Sequence, residues 1–157
     1  MQRTLILLTT WMAVVLGLNA IDGLNATDGA EPTPREQRLA RYLSGAVFEG
    51  EFTIDGSDNS RKPERYEIKS CEKLSAPDRF KLVTRIKYGD IDSEVPIEIR
   101  VLFAGETPVI TLDSLWIPGM GTFDARVLIR RDRYAGTWKH DDVGGHLFGR
   151  IVPKGRD

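Results

Sequence analysis

Two histidines and two aspartates stand close together near the end of the chain, and their side chains could do chemistry. The stretch YAGTWKHDDVGGHLFGRI contains them as His140, Asp141, Asp142 and His146, and it holds both histidines of the 157-residue sequence. Imidazoles and carboxylates at this spacing could bind a metal ion or exchange protons, or they could occupy the exposed tip of a β-hairpin. The pairing of the two flanking strands decides between these interpretations.

The DDVGG segment predicts a hairpin loop, and the length of that loop sets the face on which each histidine lies. A three-residue loop with Gly144 left-handed pairs His140 with His146, and Trp138 with Phe148. A four-residue loop shifts the pairing by one residue and moves His146 to the opposite face. We favour the three-residue loop because it places two aromatic side chains opposite each other.

We interpret this segment as a solvated hairpin tip, and we predict no metal ion, no cofactor and no catalytic residue. A metal site needs three or four converging ligands, whereas Asp141 points away from its neighbour His140, and Asp142 belongs to the turn. The alternative is that His140 and His146 share a metal ion. Because the sequence also lacks a Gly-x-Ser-x-Gly motif and a phosphate-binding glycine loop, it predicts a protein that is not an enzyme.

Residues 1–20 predict a secretory signal peptide, since Arg3 precedes the uncharged apolar run LILLTTWMAVVLGL. This run is shorter than the roughly 20 apolar residues of a membrane-spanning helix. We expect cleavage after Ala20, with Ala26 as the alternative site. The mature protein is then secreted, or lies in the periplasm or cell envelope, with no stable membrane span. The alternative is an uncleaved N-terminal segment that anchors it to the membrane.

Residues 21–34 predict a flexible linker, and residues 35–157 predict a single domain. The formal net charge is −1, so the chain carries no charge signature of a nucleic-acid-binding protein. Cys71 is the only cysteine, which excludes an intrachain disulfide, and we predict that its side chain is buried.

One short helix followed by strands is predicted for the domain. In TPREQRLARYLSG, Thr33 can cap the helix, Pro34 suits its first position and Gly45 is placed to end it. From Ala46 onward, apolar and polar residues alternate in seven or eight short segments separated by turn residues. The sequence therefore predicts an all-β fold with one N-terminal helix, an antiparallel up-and-down meander that closes as a barrel in preference to a sandwich.

Three glycines within the predicted strands support the barrel. Gly50 and Gly136 lie between aromatic residues on one strand face, and Gly149 follows Phe148. A glycine weakens a strand, but it allows the strong coiling that a small barrel needs. The alternation also falters near Ser70, which predicts a β-bulge there.

The same alternation divides a late group of four arginines between two faces. It places Arg126 and Arg130 on one face, and Arg131 and Arg133 on the other. A continuous anion-binding patch is therefore not expected.

The segments FEGEF and YAGTW resemble the aromatic-x-Gly-x-aromatic signature of the calycin barrels, which are the lipocalins, fatty-acid-binding proteins and avidins. The domain also resembles uncharacterised families of small secreted bacterial proteins that end in a similar GTW…GG…G segment. The resemblance implies a secreted barrel in which Trp138 packs at the closed end and Arg150 covers it, but it implies no activity. The sequence departs from lipocalins, because Phe52 stands in the first strand where they carry the tryptophan.

We expect a non-enzymatic barrel that binds a small apolar or amphipathic ligand, or a cell-envelope partner. The candidate contact residues are Trp116, Trp138 and Arg150. Trp116 lies in WIPGMG, which is either a turn whose tryptophan folds back over the core or an exposed apolar loop at the barrel mouth. The alternative is a structural or interaction module with a solid core and no cavity, which acts through an exposed loop or a sheet edge.

Overall fold

A computed structural model of the protein describes residues 31–57 and 61–155, and it shows one helix followed by eight strands. The predicted signal peptide, both predicted cleavage sites and most of the predicted linker lie outside these residues. Within the described ranges, no helix is long and apolar enough to cross a membrane.

The helix α1 (Pro34–Leu43) begins and ends where its capping residues predict. Thr33 is the N-cap, and its hydroxyl and backbone form a capping box with Glu36. Ser44 is the C-cap, and Gly45 follows in the left-handed region at φ 80°. Leu43 is 1% exposed, because the apolar side of the helix packs over one end of the sheet.

Each strand pairs antiparallel with the next one in sequence, and the last strand pairs with the first, so the sheet closes into a barrel. This confirms the predicted up-and-down meander and the preference for a barrel. Between the fourth and fifth strands, only residues 100–104 and 107–111 pair within the described part of the chain, so an interaction through an unpaired stretch of strand edge stays a prediction. The strands are β1 (Val47–Phe52), β2 (Lys62–Lys73), β3 (Arg79–Tyr88), β4 (Ile91–Ala104), β5 (Thr107–Ile117), β6 (Gly121–Arg130), β7 (Arg133–His140) and β8 (Val143–Val152).

The two ends of the barrel differ. We call the end where β1 begins and α1 packs the closed end, and the end where β1 meets β2 and β7 meets β8 the open end. The largest fully buried apolar side chains cluster near the closed end, and they come from α1 and three strands: Leu43, Phe80, Ile99, Val101 and Ile151.

Two β-bulges change which residues face the interior. The register of β2 against β3 shifts between Ile68 and Ser70, where a bulge was predicted. A second shift, between Leu112 and Leu115, was not predicted; Ser114 there has φ 49°. Because this bulge inserts an extra residue, β5 buries Ile117 and turns Trp116 outward. The expectation that Trp116 folds back over the core is wrong, since it is 65% exposed.

The strand glycines are required by contacts between strands. A β-carbon at Gly136 would overlap the carbonyl oxygen of Arg126 on β6, and one at Gly149 would overlap that of Glu49 on β1. A β-carbon at Gly50 would overlap the carbonyl oxygen of Phe148. The prediction that these glycines serve barrel coiling is consistent with these close approaches. The crowding, however, comes from the backbone of the neighbouring strand and not from the flanking aromatic residues.

Candidate functional site

The barrel encloses an apolar cavity, which we call the inner chamber. Its volume is about 170 Å3, and its walls come from inward-facing residues of the strands, with Leu43 of α1 at the closed end. Its lining is almost entirely hydrocarbon and aromatic carbon, and includes Phe48, Ile68, Leu82, Ile99, Ala125 and Val127. This space inside the barrel is not what the alternative of a solid core predicts.

A second, wider space of about 450 Å3 lies at the open end, and we call it the outer chamber. Four side chains line both chambers, namely Tyr66, Phe123, Trp138 and Leu147. A molecule entering at the open end would pass between these side chains to reach the inner chamber. The polar groups around the outer chamber include Lys62, Glu64, Asp90 and His140.

One hydroxyl faces the inner chamber without a partner. Thr84 lies on β3 opposite Ile68 and Val95, and it is 2% exposed. Among the described residues, its Oγ1 is the buried side-chain oxygen or nitrogen that has no hydrogen bond. Buried polar groups are nearly always hydrogen-bonded. This hydroxyl therefore marks a position where a polar atom of another molecule would be stabilised.

A buried carboxyl group, that of Glu64, lines the outer chamber. Glu64 is 5% exposed. The hydroxyl of Tyr66 donates a hydrogen bond to its Oε2 at 2.7 Å, and the hydroxyl of Tyr134 donates one to its Oε1 at 2.8 Å. Burial raises the pKa of the Glu64 carboxyl, and the two tyrosine hydrogen bonds act in the opposite direction. Burial and the adjacent Glu64 also raise the pKa of Tyr134, so its hydroxyl stays a donor.

Two glycines make room for this hydrogen-bonded group. In the barrel register, Glu64 lies opposite Gly50, Gly50 lies opposite Gly149, and Gly149 lies opposite Tyr134. The tyrosine side chain thus crosses two strands that carry no side chains at this level. A β-carbon at Gly50 would overlap the Tyr134 hydroxyl. The ring of Phe48, 5.1 Å from that of Tyr134 between centroids, supports it from the closed end.

Glu64 is not among the predicted site residues, although the sequence pattern contains a signal for it. The alternation through Tyr66 and Ile68 extends back by two residues to Glu64 and so places a carboxylate on the inward face. Thr84 likewise follows the inward positions of β3. A polar residue at an inward position of a predicted barrel strand is the feature that could have pointed to both.

The hairpin that carries the histidines has neither predicted register. The turn contains only Asp141 and Asp142, and His140 pairs with Val143. Trp138 pairs with Gly145, and not with Phe148 as predicted. A β-carbon at Gly145 would overlap the carbonyl oxygen of Thr53, so this glycine is needed within the sheet rather than in the loop. Asp141 takes the left-handed conformation instead, at φ 52°.

This register places the two histidines on opposite faces. His140 faces inward, lines the outer chamber and stacks on Phe123 with ring centroids 4.5 Å apart. His146 is exposed on the outer face. The two side chains cannot bind one metal ion, so the alternative metal site is wrong. Within the described residues, no three histidine, cysteine or acidic side chains converge on a common point.

Trp138 and Arg150 do not occupy the positions that the calycin resemblance implies. Trp138 points inward near the open end, where its Nε1 donates to the carbonyl oxygen of Thr53 at 3.1 Å and its ring meets Phe52 edge-on. Arg150 is exposed and lies opposite Arg133, several residues nearer the closed end. It therefore does not cover Trp138. Of the three candidate contact residues, the structure places only Trp138 in the cavity wall.

The arginines that alternation divided are brought together by a turn. β6 ends at Arg130 and β7 begins at Arg133, so these two residues face each other directly, and Arg150 of β8 lies next to them. All three are exposed, and the prediction that Arg130 and Arg133 lie on different faces is wrong. Cys71 is 8% exposed, as predicted, and burial raises the pKa of its thiol to about 12.

Fold and site together define an eight-stranded antiparallel β-barrel with an apolar cavity and a polar group at its open end. Comparison of the chain with models of known protein families, with characterised proteins and with solved structures gives no match.

Proposed function

We propose that the protein is a non-enzymatic binding protein that holds a small amphipathic ligand inside the barrel. The observation that carries this proposal is the inner chamber, which is lined by hydrocarbon and faced by the unpaired hydroxyl of Thr84. Cofactors and metal ions have no part in it. Because of this chamber, we prefer a ligand bound inside the barrel to a cell-envelope partner.

The size and lining of the inner chamber set the class of ligand. An apolar cavity of about 150 Å3 in another protein accommodates benzene, so a chamber of about 170 Å3 suits one ring or a short alkyl chain. The larger part of such a ligand is apolar, because the walls of the chamber offer few polar groups. Its remaining part would extend into the outer chamber, which is about 450 Å3 and more polar.

The unpaired hydroxyl gives a reason why the cavity would be occupied. A buried polar group without a hydrogen bond destabilises a protein by about 1–3 kcal/mol. A ligand that carries a second polar atom, beside Thr84, would remove this cost, and any ligand in the chamber would shield the hydrocarbon walls from water. Both terms favour the bound form.

Export of the protein and kinship with the calycin barrels belong to the same proposal. They are supported by the sequence of residues 1–20 and by the glycine-aromatic segments. Contact with a cell-envelope partner is the second candidate function, and the exposed ring of Trp116 on the outside of the barrel favours it.

Filling the inner chamber is expected to abolish ligand binding. Ala125 is buried, lies opposite Trp138 and lines the inner chamber, so Ala125→Trp should occupy the space that a ligand needs. We expect its affinity for 1-hexanol, measured by isothermal titration calorimetry, to fall by about tenfold or more.

The matched control is Leu128→Trp, which adds a tryptophan to the exposed outer face of the same strand. It should bind 1-hexanol as the wild type does. If the wild type and Ala125→Trp bound 1-hexanol with equal affinity, the binding site would lie outside the inner chamber.

A further inference from the structure

Glu64 is the polar group best placed to select a ligand by its head group. It lines the outer chamber, and tyrosine hydroxyls donate hydrogen bonds to both of its carboxyl oxygens. Each oxygen of a carboxylate can accept about two hydrogen bonds. Each therefore retains the capacity to accept one more, and the site offers acceptors to a molecule that enters.

Resting on the function proposed above, we propose that the ligand carries a hydrogen-bond-donating head group, an alcohol or a protonated amine, which binds Glu64 while the apolar part fills the inner chamber. A donor head group would complete the hydrogen bonding of the carboxyl oxygens that Tyr66 and Tyr134 hold in place. A ligand with a carboxylate head group would instead bring a second acceptor with the same charge.

The other charged groups around the outer chamber support this selectivity. Lys62 is the lysine in its lining, and its side chain lies in an exposed position, as does Asp90. The lining of the outer chamber therefore contains one lysine and two carboxyl groups, those of Glu64 and Asp90. Like charges placed close together disfavour each other, whereas a cation beside a carboxylate favours the charged forms of both.

Three ligands with the same six-carbon chain test the proposal. At neutral pH, isothermal titration calorimetry on the wild-type protein should show that hexylamine and 1-hexanol bind, and that hexanoate binds about tenfold more weakly than hexylamine. Glu64→Gln should remove most of this difference, by weakening hexylamine binding and strengthening hexanoate binding. The control is Glu72→Gln, an exposed glutamate on the outer face of the same strand, which should leave the ranking unchanged.

The outcomes separate this inference from the proposed function. Hexanoate binding as tightly as hexylamine to the wild type would overturn the inference, and so would an unchanged ranking in Glu64→Gln. The wild-type ranking alone suffices if Glu64→Gln does not fold. If none of the three ligands binds to the wild type, the proposed function itself fails.

Discussion

Gly136→Val is expected to reduce the free energy of unfolding by about 3 kcal/mol or more, at the upper end of the range for overpacked interiors. A β-carbon at this position would overlap the carbonyl oxygen of Arg126, and would lie 2.9 Å from the Cα of Val127 on β6. Both atoms belong to the backbone of a strand that is itself paired on both sides, so they cannot rotate away as a side chain can. Chemical denaturation measures the loss.

Gly50→Val should behave similarly, since its side chain would displace both the backbone of β8 and the Tyr134 hydroxyl. Ala135→Val is the matched control, because Ala135 is exposed on the outer face of β7 beside Gly136. There valine should change stability by no more than about 0.5 kcal/mol. The strand propensity of valine alone predicts that both substitutions stabilise the protein. That result would contradict the close backbone contacts that Gly136 and Gly50 make with their neighbouring strands.

Tyr134→Phe is expected to destabilise the protein by about 1–3 kcal/mol, because it leaves an oxygen of the buried Glu64 carboxyl group without its hydrogen bond. The loss should be smaller in acid. Burial raises the pKa of Glu64 above its ordinary value of 4.5, so the folded protein retains this proton at pH values where the unfolded chain has lost it. The contribution of Glu64 to stability is therefore fully present below pH 4.5, and it is lost as the pH rises through the pKa of the folded state.

The Tyr134 hydrogen bond lowers the pKa of Glu64, so its removal should move that pKa further upward. The effect of Tyr134→Phe on the free energy of unfolding should accordingly grow as the pH rises above 4.5, the ordinary pKa of the carboxyl group, as measured by chemical denaturation. In a Glu64→Gln background this growth should disappear. A loss that is the same at every pH, or that persists unchanged in the Glu64→Gln background, would contradict a hydrogen bond from Tyr134 that favours the ionised form of Glu64.

The sequence contains enough information for the helix and for the order of the strands, because both depend on local patterns. The capping residues of α1 and the alternation within each strand are visible without any long-range contact. The bulge near Ser70 was predicted because it interrupts alternation. The bulge before Leu115 interrupts it in the same way, since Leu112 and Leu115 are three residues apart. That spacing predicts an outward-facing Trp116.

The register of the last hairpin could not be predicted from the hairpin alone. Gly144 and Gly145 favour a glycine-containing loop, but Gly145 is needed where the chain passes against Thr53, beyond the end of β1. That contact exists only after the first and last strands have paired and closed the barrel. The same holds for the candidate site, since Glu64 and Tyr134 meet across strands that are far apart in sequence.

The position of a bound molecule inside the barrel is the most direct test of a ligand-binding cavity. A crystal of the protein grown with 6-bromohexan-1-ol would locate the bromine atom by its anomalous scattering. We expect the bromine in the inner chamber, among Ile99, Ala125 and Val127, and no such peak in crystals of Ala125→Trp. A wild-type barrel whose interior is filled by its own side chains, with bromine only on the outer surface, would contradict the proposed function.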